Sequence, residues 1–194
     1  NNNSYSLSNS NQPNPARIGG CKIGNNNAGQ IQKSFDGYIS NLRIIKGTAV
    51  YDGGDFLEPN QQLENITNTV LLCCNGSSAT DATVIPTSIT VNGDAASQET
   101  VVPSSWDGGY GSVLFDGDAD SISHATNGNY NLNGDWCIEC WVNSTDVSLS
   151  GGLYKRIWSL ASTSDNTNVL NNGICGSWED VFNEAGDGVF KLRI

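Results

Sequence analysis

Apolar residues recur at every second position in short runs along this chain, and stretches rich in Gly, Asn, Pro and Asp separate the runs. The clearest run is 135–143, where Trp136, Ile138, Cys140 and Val142 fall on one face and Cys137, Glu139 and Trp141 on the other. Period two marks a strand, because successive side chains leave the backbone on opposite sides. The same reading predicts strands at 16–23, 34–45, 67–74, 88–91, 112–116, 121–124, 154–161 and 188–194. In 34–45, Tyr38, Ser40, Leu42 and Ile44 alternate with Ile39, Asn41, Arg43 and Ile45, so neither face is wholly apolar. Asn92-Gly93 ends one strand with a tight-turn dipeptide, and the turn 117–120 joins two others. Segments 1–16, 24–30, 52–66, 75–82 and 94–111 read as loops, and 162–187 is assigned to no strand. Many short strands joined by Gly/Asn turns predict an all-β protein, with an antiparallel β-sandwich as the expected class.

Composition sharpens this picture and removes some functions from it. Only 15% of residues are charged, Met is absent and Gly numbers 22, which suits strands and turns far better than helices. The formal net charge of -11 and the lack of any Lys/Arg cluster argue against a nucleic-acid partner, which needs a basic face to displace counterions from phosphates. No apolar run approaches the ~20 residues needed to span a bilayer as a helix. The chain opens on Asn1-Asn2-Asn3-Ser4 and stops inside an alternating strand pattern, so both ends read as interior to something longer.

Six cysteines invite a disulfide framework, but their spacing argues against local pairing. Cys137 and Cys140 sit three positions apart on a strand, about 10 Å along the chain and on opposite faces, whereas a disulfide needs Cα atoms within roughly 7 Å. Cys73 and Cys74 are adjacent, and strand alternation predicts that they face opposite ways. Free, buried thiols acting as small hydrophobes are the expected state of most of the six. Cys21 and Cys175 retain the option of distant partners.

Three segments resemble the laminin-G-like branch of the concanavalin A-like lectin/glucanase fold. Phe35-Asp-Gly-Tyr-Ile-Ser-Asn-Leu-Arg-Ile-Ile-Lys-Gly-Thr-Ala-Val-Tyr51 is similar to that family's closing signature, ending in R-I-x-x-G-x-A-x-Y. Ser112-Val-Leu-Phe-Asp-Gly-Asp-Ala-Asp-Ser-Ile122 resembles its opening FDG hairpin, and Asp135-Trp-Cys-Ile-Glu-Cys-Trp-Val142 the strand that follows. The closing segment here precedes the opening ones. Two arrangements fit that order, namely parts of two tandem domains or one circularly permuted domain. The break at 52–66 and the fresh strand after it favour the tandem division: 1–60 as the end of a first laminin-G-like jelly roll, 61–66 as a linker, 67–194 as the start of a second. Long repeat proteins of marine phages and other aquatic viruses carry such repeats. The resemblance also implies central strands that this chain lacks, to be supplied in cis from a longer chain or in trans by a neighbouring copy.

Candidate chemistry is sparse. The glucanase relatives place two catalytic carboxylates on one strand face, and this chain has no E-x-D-x-x-E motif, with Glu139 alone in its strand and Glu179-Asp180 wrongly spaced. No enzymatic activity is therefore expected. Asp116, Asp118 and Asp120 alternate along a Gly turn and offer hard oxygen ligands for Ca²⁺; the alternative is a hairpin whose aspartates cap their own backbone. Trp106, Tyr110 and Trp178, assigned to loops beside acidic residues, are the candidate sugar-stacking side chains, while Trp141 and Trp158 read as core. Sequons at Asn2, Asn65, Asn75 and Asn143 matter only in a eukaryotic secretory setting. The expected function is a structural, adhesive repeat of a viral or cell-surface fibre, extracellular or on the virion surface. Its partners would be neighbouring copies of itself and surface glycans. A secreted, Ca²⁺-dependent carbohydrate-binding lectin is the alternative.

Overall fold

The computed structural model describes residues 16–22, 31–32, 34–51, 61–84, 89–101, 111–124, 132, 134–145, 154–161, 173–180 and 188–193. Fourteen strands appear among them, and no helix: β1 (Ala16–Ile18), β2 (Cys21–Lys22), β3 (Ile31–Gln32), β4 (Asp36–Lys46), β5 (Thr69–Cys73), β6 (Ala82–Val84), β7 (Ile89–Asn92), β8 (Ala96–Gln98), β9 (Ser112–Asp116), β10 (Ser121–His124), β11 (Trp136–Ser144), β12 (Tyr154–Ala161), β13 (Gly173–Asp180) and β14 (Gly188–Arg193). Every pairing is antiparallel. One six-stranded sheet runs β14-β13-β12-β1-β10-β7, and a second runs β6-β5-β4-β9-β8 with β11 added against β4.

Among the described residues one apolar core lies between these two sheets, while β2 and β3 form a separate two-stranded sheet. Ile18, Ile122, Ile157, Trp158 and Leu160 enter it from the first sheet; Phe35, Ile39, Leu42, Ile44, Leu71, Val113 and Phe115 enter from the second. Side chains of two sheets meeting in one core define a β-sandwich. Phe35 and Phe115 are fully buried, each contributing about 1.5–3 kcal/mol by leaving water. The chain passes from one sheet to the other beside β1, where Gly19 N–H donates to Ile157 O at 2.7 Å and Phe35 N–H to Gly19 O at 2.7 Å.

β4 organises the second sheet. β11 pairs with it from Gly37 to Lys46. On its opposite edge β9 takes 36–39 and β5 takes 42–45. The handover falls at Asn41, in the left-handed region at φ 52°. There two residues of β4, Asn41 and Leu42, oppose the single Cys140 of β11, a β-bulge. The bulge resets the alternation, so Ile39 and Leu42, three apart, both reach the core. This is why 34–45 shows no wholly apolar face when read with strict period two.

Segment 61–66, expected as a linker, is tied to β4. Leu63 N–H donates to Asn41 Oδ1 at 2.8 Å, and Arg43 donates to Glu64 O at 2.8 Å. Strands from both sides of it share both sheets: β1 pairs with β10 and β12, and β4 with β5, β9 and β11.

Four strands escape period-two reading, the first being the two-residue β3, which pairs with β2. β6 and β8 have three residues each, too few to display alternation. β13 occupies 173–180 and carries Trp178, which the sequence had suggested lay in a loop. Its glycines hid it. Gly176 packs under Trp158, where a Cβ would stand 2.6 Å from the indole Nε1, so the smallest residue is required there by close approach rather than by a turn.

Candidate functional site

Two turns come together at one end of the sandwich. The first is Asn92-Gly93-Asp94-Ala95 between β7 and β8, with Gly93 at φ 73°, a conformation that an L side chain adopts only with strain. The second, 117–120, joins β9 to β10 and has two positive-φ residues, Gly117 at 84° and Ala119 at 62°. Pairing of Ser121 with Asn92 in the β10–β7 ladder brings the turns into contact.

Asp120 is the hub. It is buried, its Oδ1 accepts from Asp94 N–H at 2.8 Å, and its Oδ2 accepts from Asp116 N–H at 3.0 Å. A Cβ on Gly93 would lie 2.1 Å from Asp120 Oδ1, so this glycine is also what lets the carboxylate approach. Burial pushes the Asp120 carboxyl above its ordinary range; the two backbone amides pull it down, and the neighbouring Asp116 and Asp94 push it up again.

Carboxylate oxygens of Asp94, Asp116 and Asp120 lie within 4.8 Å of one another. Two of the three aspartates expected from the sequence are therefore in this group. Asp118 is not; it is exposed at the turn's tip, where its N–H donates to Asp116 Oδ1 at 2.8 Å, an Asx turn. Asp94 joins instead, and its only sequence signal is its place directly after Asn92-Gly93. A fourth acid lies alongside, since Asp36 pairs with Asp116 across the β4–β9 ladder. Ser144 Oγ donates to the Asp36 carbonyl at 3.1 Å, and the Thr145 hydroxyl donates to its carboxylate. Converging carboxylate oxygens are the donor set a hard cation takes. Both oxygens of Asp120 already hold amides, so the same geometry also serves as a turn clamp.

Of the aromatic candidates, Trp106 and Tyr110 lie outside the described residues, and Trp178 is described by its backbone alone, opposite Lys155 and Phe190. Trp158 is core, as expected, whereas Trp141 is half-buried on β11.

Glu139, alone by sequence, has partners in three dimensions. Its Oε1 lies 2.6 Å from Arg43 Nη2 and accepts from Arg43 Nε at 2.7 Å, while its Oε2 accepts from Tyr51 Oη at 2.5 Å. The two charged side chains are 7% and 14% exposed, so this ion pair is largely withdrawn from water. Comparison with models of known protein families, with curated proteins and with solved structures gives no match. The molecule is thus characterised by its own architecture: an all-β, antiparallel sandwich with an acidic turn cluster at one end.

Proposed function

We propose that this chain is a non-enzymatic structural and adhesive repeat, a laminin-G-like jelly-roll sandwich of an extracellular or virion-surface fibre that joins neighbouring copies of itself and contacts surface glycans. One observation carries the reading. Among the described residues β11, nine residues long, pairs with β4 alone. Native edges are commonly blunted by Pro or Lys, and β11 contains neither. Its one acid, Glu139, is consumed by Arg43 and Tyr51, and Val142 is 39% exposed. Such an edge accepts a strand from another chain, and head-to-tail repetition of a contact that does not close produces a filament. The three motif segments support the family reading. The pairing of β4 with β9 and β11 joins the closing segment to the opening ones in one sheet.

The test is the state of assembly. Light scattering after gel filtration, with negative-stain imaging, is expected to show concentration-dependent association that Val142→Lys reduces at least several-fold while the far-ultraviolet spectrum stays unchanged. A wild-type chain that stays monomeric at every concentration overturns the reading.

A second reading, a Ca²⁺-dependent carbohydrate-binding module, is favoured by the gathering of Asp94, Asp116 and Asp120. Glycan-array binding abolished by chelator would select it over the fibre.

A further inference from the structure

Strand alternation predicts opposite orientations for Cys73 and Cys74, yet both side chains are buried in the same core, at 0% and 1% exposure. The reason is backbone conformation. Cys73 ends β5, and Cys74 takes φ 61°, a left-handed value that a residue with a Cβ adopts at some cost. The turn is held where β4 also bends, because Asn41 N–H donates to the Cys74 carbonyl at 3.0 Å. It swings the Cys74 side chain toward its neighbour, and the two sulfurs stand 3.7 Å apart. An unusual φ, a buried site and two thiols side by side coincide at one dipeptide.

We propose that Cys73 and Cys74 are a modification site, closing to a vicinal disulfide when the chain meets a low-molecular-weight disulfide oxidant such as glutathione disulfide. One cysteine sulfur attacks the oxidant and displaces a thiol, and the second cysteine sulfur then displaces the other. The cysteine pair gives up two electrons and two protons, the Cys73–Cys74 S–S bond forms, the oxidant's S–S bond breaks, and two small thiols leave. Adjacent Cα atoms stand about 3.8 Å apart across a trans peptide, short of the usual disulfide window of roughly 4.4–6.8 Å. The ring is therefore strained and easily reduced, which makes it a reversible switch rather than a staple. In the folded chain the hydrogen bond to Cys73, then burial, pushes the Cys74 thiol well above its ordinary range. Attack by thiolate is accordingly slow once packing is complete, and closure belongs to folding or to transient opening of this end of β5.

The full chain, refolded in a glutathione redox buffer and in the same buffer with urea, is blocked with N-ethylmaleimide under denaturing conditions and cut after glutamate. Cleavage after Glu64 and Glu99 yields 65–99, which holds Cys73 and Cys74 and no other cysteine, while Cys137 falls in 100–139 and Cys140 in 140–179. The expected result is a 65–99 peptide lighter by two hydrogens and unblocked. It should be several-fold more abundant from the folded sample than from the urea sample, and restored to double blocking by mild reductant. Full blocking of both thiols in the folded sample overturns the proposal. So does a cross-link from 65–99 to another peptide, and so does equal ring closure in urea, which would remove the fold as its cause.

Discussion

Asn41 shows how much one polar residue decides here. It is fully buried, yet its backbone and side chain meet three partners: its N–H donates to Cys74 O at 3.0 Å, its Oδ1 accepts from Leu63 N–H at 2.8 Å, and its Nδ2 donates to Ser40 Oγ at 2.9 Å. Asn also tolerates the left-handed backbone better than most residues with a side chain. Asn41→Ala strands the buried Leu63 amide, and a lost partner of that kind costs about 1–3 kcal/mol. Urea unfolding should read this as a lowered midpoint, and Asn41→Gly, which relieves the backbone, should recover only part of it. A midpoint unchanged in Asn41→Ala would show that the amide finds another acceptor. None of this was legible in the sequence, where Asn41 reads as one more polar residue in an alternating run.

Between elements, the Arg43–Glu139 pair holds the middle of β11 to β4, and Tyr51 adds the segment after β4 to the same carboxylate. A largely buried pair broken from one side leaves its partner charge uncompensated, at a cost of about 3–5 kcal/mol, whereas replacing both by apolar residues is commonly near neutral. Glu139→Ala should therefore destabilise far more than the double replacement Arg43→Met with Glu139→Leu, as read by urea midpoints. Tyr51 reports the same contact by pH. Burial, then the Glu139 hydrogen bond and charge, raises its phenol from 10.0 to about 12. Because the folded value lies above the ordinary one, the stabilisation is complete below pH 10 and is lost as pH rises through about 12. Phenolate absorbance should show a late-titrating tyrosine that Tyr51→Phe removes and Glu139→Gln shifts downward.

For the whole molecule, the two turns at the acidic end link the sheets, since β7 and β10 belong to one and β8 and β9 to the other. Any cation held by Asp94, Asp116 and Asp120 would stabilise the entire sandwich by mass action, at about 2.7 kcal/mol when its free concentration is a hundredfold above Kd. Under the lectin reading, millimolar Ca²⁺ should raise Tm by several degrees, Asp94→Asn should abolish the rise, and Asp118→Asn should leave it. A Tm indifferent to Ca²⁺ and chelator would leave the cluster as a clamp that ties the two turns through Asp120.

The sequence by itself determined the all-β class and most of the strands, because period two and Gly/Asn turns are local consequences of strand geometry. It also pointed to two of the three gathered aspartates, because they are neighbours in one turn. Only tertiary structure decided the rest. Asp94 joins Asp116 and Asp120 through the β7–β10 ladder, across a separation that no local pattern encodes. The bulge at Asn41 and the left-handed Cys74 each break alternation at one residue, and each does so because a partner elsewhere in the chain accepts or donates a hydrogen bond there. Glu139 looked solitary for the same reason: its cation is remote in sequence and adjacent in the sheet, where ladder register rather than chain order sets who meets whom.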